Sequence, residues 1–260
     1  MGRHDGAALE HPSACRPVPG PVLFGRYAFG PNRLGYCGTD DHAALLGHAA
    51  AQDDRELRQL ARTFDGAYPY LELIARANGV PDPLDRRVVE AYWIGSDLTA
   101  AVAPAALHRS IDARFRGRVS PGTWRWLEAS VPAGARPVHA FHVLDVFPRI
   151  GLLRGGEVDD VLRVIDACRI RWGRVASVQD GTLTVDASSL ELVDGKLRIG
   201  PTGQEVVQRW VDGIGFVDDV LPGDVVSLHW GWACDRLTPR QRANLVAWTE
   251  FELAVANRTW

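Results

Sequence analysis

The sequence predicts an α+β protein: an N-terminal all-α part, then a small antiparallel, OB-like β-barrel, then a C-terminal helix. Three observations carry this. Apolar residues recur at helical spacing from about residue 39 to 166. From Cys168 onward the segments become short, rich in β-formers and separated by turn residues. Thr238-Pro239 then reopens a helical pattern, with proline at a first-turn position where its missing N–H costs nothing.

Residues 1–21 are rich in Pro, Gly, His and Ala without periodicity and read as a mobile tail; 22–167 read as a helical domain and 168–260 as the barrel with its helix. Thr39 is the expected N-cap of the first clear helix, with Asp40 and Asp41 suiting its positive end. The segment DRELRQLARTF places Leu57, Leu60, Ala61 and Phe64 on one face and breaks near Gly66 and Pro69. The next helix, through Leu71, Ile74 and Ala75, stops at Asn78-Gly79 before Pro81. Further helices are expected at 84–95, 104–116, 121–130 and 157–167.

The predicted strands are CRIRWGRVASV, TLTVDASSLELV, KLRI, EVVQRWV and DVVSLHWGW. Gln179-Asp180-Gly181 and Asp194-Gly195 are hairpin signals between them. In the last helix Leu245, Trp248 and Phe251 or Glu252 fall at helical spacing. Helix 157–167 runs straight into the first strand, which predicts two docked parts.

At 260 residues and a formal charge of −3, the chain has no basic surplus of the kind nucleic acid or anionic membranes select. It has no apolar run near the roughly 20 residues of a membrane span. The first 21 residues contain no apolar stretch of a secretory signal, so a cytoplasmic, reducing setting is expected. There Cys15, Cys37, Cys168 and Cys234 are free thiols or ligands rather than disulfides. Phosphate-loop, dinucleotide and nucleophile-elbow motifs are absent, and the paired glycines of LLRGGEVDDVL follow no strand.

PGDVVSLHWGW is the most distinctive stretch. As one strand, it sets Val226, Leu228, Trp230 and Trp232 on the core face. Val225, Ser227, His229 and Gly231 then take the other face, so His229 is expected toward solvent or a ligand, with Gly231 leaving room for its approach. A plain surface histidine fits the same pattern.

The segment from Cys168 to about Val255 resembles the HypC/HupF family of [NiFe]-hydrogenase assembly chaperones. CRIRWGRV stands in place of that family's opening cysteine strand, with Trp172 where proline is usual. PGDVVSLHWGWACDRLTPRQ stands in place of its Gly-Asp-aromatic-Val-Leu-Val-His-x-Gly-Phe-Ala motif, with Gly223, Asp224, Val226, His229, Gly231 and Ala233 in register. An insertion around GPTGQ lengthens the segment, and residues 22–167 have no counterpart. The whole chain also resembles an uncharacterised bacterial family associated with hydrogenase gene clusters.

The resemblance implies a HypC-like barrel whose cysteine and histidine, Cys168 and His229, handle an Fe(CN)2CO fragment. It implies docking to the hydrogenase large-subunit precursor or a HypD-like maturation protein through Gly223, Asp224, Gly231 and Trp232. A soft thiolate suits low-spin iron, and few protein ligands suit a metal that must leave again. Cys168 is internal, so it has no free α-amino group. Strand alternation from Ile170 and Trp172 is also compatible with a buried, inert thiol.

A second candidate lies in the helical part. GYCGTDDHAALLGH holds Cys37, His42 and His48, and PVHAFHVLDVFP adds His139, His142 and Asp145. His139 and His142, three apart on a helix, could share one ion, with Cys37 and His42 completing a metal-dependent enzyme site. The plainer alternative is that Asp40 and Asp41 charge a helix start while the histidines pack or face water. A metal-free interaction module is a third reading. Glycines flanking Tyr36-Cys37 allow close backbone approach, which makes that turn the best functional candidate in the helical part.

Overall fold

The computed structural model describes residues 18–147 and 158–259, so the predicted tail up to residue 17, with Cys15, and part of LLRGGEVDDVL lie outside the described residues. The fold is mixed α+β, with helices first, strands next and a helix last.

Helix α1 (Gly20–Arg33) precedes the first clear helical pattern of the sequence and is the element on which the two halves meet. All its residues except Arg26 and Arg33 are buried, so it has no polar face to give a period. Gly20, Gly25, Gly30 and two prolines also read against a helix. The glycines serve close packing instead: a Cβ on Gly25 would lie 2.6 Å from the Ala49 Cβ, and one on Gly30 only 2.4 Å from the His229 carbonyl oxygen. The helix begins at Gly20, inside the segment expected to be a tail.

Around α1 stand α2 (His42–Ala51), α3 (Arg55–Arg62), α4 (Tyr68–Ala77), α5 (Arg86–Trp93), α6 (Asp97–Ala100), α7 (Pro104–Phe115) and α8 (Pro121–Glu128). The N-cap of α2 is Asp41, whose Oδ1 accepts from Ala44 N at 2.9 Å; Thr39, the expected cap, instead accepts from Asp41 N. Helix α4 ends as its sequence predicts: Gly79 has φ +64°, and the N–H groups of Gly79 and Val80 return to the carbonyls of Arg76 and Ala75. A short α9 (His139–Phe141) runs directly into a π-helical turn, His142–Val146. Helix α10 (Val158–Cys168) leads to the strands.

The strands are β1 (Arg171–Val178), β2 (Thr182–Val193), β3 (Lys196–Gln208), β4 (Trp210–Val211), β5 (Ile214–Gly215), β6 (Val225–His229) and β7 (Trp232–Arg236). Five of them form one sheet in the order β1-β2-β3-β7-β6, and β6 pairs back onto β1, so the order closes on itself. Both expected hairpin turns are present, with Asp194 and Gly195 at φ +52° and +73°. KLRI and EVVQ belong to one strand, β3; the GPTGQ stretch between them is no loop but continues the pairing with β2, across an irregularity opposite Ser189.

DVVSLHWGW is two strands rather than one. Trp230 and Gly231 have φ +51° and +70° and form the two-residue turn between β6 and β7. The reversal changes which residues share a face: Leu228 pairs with Ala233, and His229 with Trp232. Val226, Leu228 and Ala233 join a core enclosed by the sheet, with Val175, Val185 and Val207. Trp232 joins the other core, which is continuous with the helices. His229 is 1% exposed, so the expectation that it stands toward solvent is wrong. The face thought to be polar is covered by α1, where Phe29 meets Trp232 edge-on at 4.8 Å and Arg26 pairs with Asp235 at 2.9 Å.

The last helix, α11 (Pro239–Thr259), starts at Thr238, whose hydroxyl accepts from Gln241 N while the Gln241 side chain accepts from Thr238 N. Leu245 and Glu252 are buried, whereas Phe251 is exposed. Asn257 closes the helix onto β3 by exchanging two 2.8 Å bonds with the Leu197 backbone. No helix among the described residues is long and apolar enough to cross a membrane.

Candidate metal centre

Three elements distant in sequence bring chemistry-bearing side chains to one place. Cys168 is the last residue of α10, not a strand residue, so β-alternation does not decide where its sulfur points. The end of α10 is held by two features. The buried Arg169 pairs with Asp166 at 2.8 Å and donates to the Ser188 carbonyl at 2.7 Å. Trp230 N donates to the Ala167 carbonyl at 2.9 Å, which fixes the β6–β7 turn beside Cys168.

His229 comes from the end of β6, and His139 from the start of α9. One ring nitrogen of each and the Cys168 sulfur all lie within 4.8 Å of one another. The two imidazole rings are 5.1 Å apart at 77°, and Trp93 packs against both, at 4.7 Å from His139 and 5.7 Å from His229.

Hydrogen bonds fix the tautomers. His229 Nδ1 lies 2.7 Å from the Tyr27 carbonyl, which can only accept, so Nδ1 carries the proton. Its Nε2 is therefore a lone pair, buried and without a hydrogen bond of ordinary geometry among the described residues, with the Cys168 backbone nearby. A buried imidazole whose far nitrogen is tied to a backbone carbonyl is the usual state of a metal-ligating histidine. His139 Nε2 donates to the Cys168 carbonyl at 2.9 Å, so its Nδ1 accepts from the Tyr92 hydroxyl at 3.1 Å. His139 would have to exchange one of these bonds to ligate.

All these groups are neutral near pH 7. Burial pushes His229 down to about 4, against the Tyr27 and Cys168 backbone groups, which favour the charged ring. Burial, and then the neighbouring His229 and His142, push His139 well below its ordinary value. Burial followed by the Arg114 charge lowers His142 to about 3. Burial pushes the Cys168 thiol up to about 12, so it is protonated until a cation displaces the proton.

The three groups open onto a cavity of about 420 Å³. Its walls are largely aromatic, with Phe64, Tyr92, Trp93 and Phe115 among them, and Arg114 faces it from α7. The turn Gly35–Gly38 forms part of the rim: Tyr36 stacks on Trp230 at 3.9 Å and 23°, and Cys37 lines the cavity. Asn32 holds that turn by donating to the Cys37 and Thr39 carbonyls, each at 2.7 Å. Gly38 has φ +85°, and a Cβ there would lie 2.3 Å from the Phe64 ring. Cys37 is exposed as a residue, yet burial of its sulfur also pushes the thiol up to about 12.

The two candidate sets from the sequence thus meet in part. Cys168, His229, His139, His142 and Cys37 line one cavity; His42 does not, standing exposed at the start of α2. His142 lies 6.4 Å from His139 ring to ring, outside the close triplet. Asp145 turns to α11, where it accepts from Thr259. Of the expected docking residues, Gly223 and Asp224 sit at one end of β6 and Gly231 and Trp232 at the other. Trp232, 1% exposed, offers no docking surface of its own. Nothing in the sequence marks the Tyr27 carbonyl, Trp93 or Arg114 as parts of the site. A backbone oxygen carries no residue signature, and the other two fall at ordinary helical spacing.

A second group, His48, Asp54 and Glu56, also lies within ligand distance, but Asp54 already serves as N-cap of α3 while accepting from His48 at 2.6 Å.

Against known proteins, a family model described as "Family of unknown function (DUF6390)" matches residues 16–260, and the chain belongs to that family. No curated protein and no solved structure matches it.

Proposed function

We propose that this DUF6390 chain is a cytoplasmic accessory protein of [NiFe]-hydrogenase assembly. It holds an iron fragment at Cys168 and His229, with His139 as a third ligand, and passes it to the large-subunit precursor or to a HypD-like partner. The observation that carries this reading is the approach of the Cys168 sulfur and the two imidazoles to within 4.8 Å of one another. The resemblance of residues 168–255 to the HypC/HupF family supports the hydrogenase assignment, and the closed five-strand sheet followed by a helix agrees with an OB-like, HypC-like barrel.

The donor set fits such cargo. A thiolate and imidazoles suit iron carrying π-acceptor ligands, and the His229 Nε2 lone pair is a donor already oriented for it. Three protein ligands are fewer than a closed structural site uses, which allows both loading and release. The protein's own part is to keep the histidines neutral, to bury the thiol and to leave a cavity beside the metal.

A second reading, a metal-dependent enzyme, is favoured by the same cavity, since three ligands leave a coordination position facing it. Anaerobic purification with and without co-expressed hydrogenase genes separates the readings. The assembly role expects iron in the wild type, its loss in Cys168→Ala and His229→Ala, and co-purification of the large-subunit precursor. Zinc bound in the absence of any partner supports the enzyme. No metal in any preparation leaves an interaction module.

A further inference from the structure

The cavity beside the triplet contains more polar demand than a metal would satisfy. Among the described residues, Arg114 Nη1, Trp93 Nε1 and Trp230 Nε1 are buried without a hydrogen bond of ordinary geometry, and all three residues line the cavity. The Trp230 indole faces the Cys168 sulfur and Arg114 faces the Tyr70 hydroxyl, neither of them a carboxylate. Arg114 is held in place independently of any ligand. Its Nη2 donates to the Asp65 carbonyl at 2.9 Å, and its guanidinium lies 4.6 Å from the Tyr70 ring and 4.8 Å from the Phe115 ring. Among the described residues no carboxylate lies within ion-pair distance of it. Asp65 and Arg118, both exposed, are the other charged residues of the lining among the described residues. The histidines and thiols are neutral, so among the described residues Arg114 is the charge that faces the interior.

An unsatisfied buried donor is costly, and three on the walls of one cavity call for acceptor oxygens. One guanidinium nitrogen and two neutral indole N–H groups offer a single positive charge and so suit one negative charge. A phosphate dianion would lose its water for too few donors. The volume of about 420 Å³ falls among small-molecule pockets, and the aromatic walls suit an apolar body.

We propose that this cavity binds a small organic carboxylate, its charged end on Arg114 and its apolar body between the aromatic walls, toward the Cys168–His229 pair. The site does not require that the metal reading be right.

Calorimetric titration of EDTA-treated, full-length protein tests it with benzoate, its neutral isostere benzamide, and acetate. Benzoate is expected to bind one to one, benzamide at least tenfold more weakly, and acetate more weakly than benzoate. Arg114→Gln should remove the preference for benzoate over benzamide, and Arg114→Lys, which keeps the charge, should retain part of it. Trp230→Phe, which keeps the stack on Tyr36 but removes the N–H, should weaken benzoate severalfold. Circular dichroism melts identify a variant that fails to fold, and the lysine and phenylalanine variants then decide. Zinc titration of the same EDTA-treated wild type, without benzoate, reads the metal site by itself, so failure of the metal reading is seen separately from failure of carboxylate binding. No heat with benzoate, equal binding of benzamide, or benzoate affinity unchanged in the Arg114 variants would overturn the assignment.

Discussion

The His229 ring donates through Nδ1 to the Tyr27 carbonyl at 2.7 Å, so the first helix sets the proton position of an imidazole 202 residues later. Had Nδ1 been left free, the ring could have exchanged tautomers, and the lone pair would not be committed to the cavity. The neutral Nδ1–H tautomer is therefore expected in metal-free protein. Long-range proton–nitrogen correlation spectra should show it unchanged from pH 8 to 5, because burial holds the ring near 4. A ring that titrates near 6.5, or one protonated at Nε2, would contradict this arrangement.

The same burial makes stability depend on acid. His229 and His142 are lowered to about 4 and about 3, and His139 is lowered as well. A histidine whose folded value is depressed contributes fully above its unfolded value of about 6.5 and loses that contribution as pH falls, because the unfolded chain takes up the proton first. Metal-free protein should keep its stability from pH 8 to about 6.5 and lose it progressively toward pH 4. The His229 share is on the order of 3 kcal/mol at pH 4, taking its lowered value with about 1.4 kcal/mol per pH unit. Urea denaturation across that range measures it, and His229→Gln should flatten the slope by about one proton.

Those histidines also show what the sequence could and could not disclose. Helix stops, hairpin turns and the change of period after Cys168 were legible because each depends on local chemistry, as at Asn78-Gly79 and Asp194-Gly195. The pairing of Cys168 with His229 was legible only by resemblance. The burial of His229 was not, since strand alternation says which residues share a face but not what covers it. Trp230-Gly231 fits a strand in sequence, because a positive φ at tryptophan has no sequence signal. Helix α1 is hidden for a related reason: glycines at which an added Cβ would lie only 2.4–2.6 Å from a neighbouring atom look, in sequence, like breakers.

Gly30 tests that last point. Alanine there would place its Cβ 2.4 Å from the His229 carbonyl oxygen, a backbone atom that cannot swing aside. Gly30→Ala should push α1 off the β6–β7 turn, at a cost of about 1–3 kcal/mol as overpacking does, and weaken metal binding at least tenfold. Gly47 lies within α2 with nothing near its missing Cβ. Gly47→Ala should leave metal binding alone and add about 0.5–1 kcal/mol of stability from helix propensity. Thermal melts and metal titrations of the two variants separate close packing from a general aversion to change.

Metal uptake should itself release a proton of known origin. At pH 7 both histidines are already neutral, whereas the Cys168 thiol, raised to about 12 by burial, is not. A thiolate-ligated cation must displace that one proton, so affinity for zinc or cobalt(II) should rise about tenfold per pH unit between pH 7 and 9. Calorimetry in buffers of different ionisation enthalpy should count about one proton released per metal. In Cys168→Ala the count should fall to near zero and the pH slope should flatten, with affinity reduced by the loss of the sulfur. If the wild type releases no proton, the sulfur is not a ligand, and His139 and His229 bind without it.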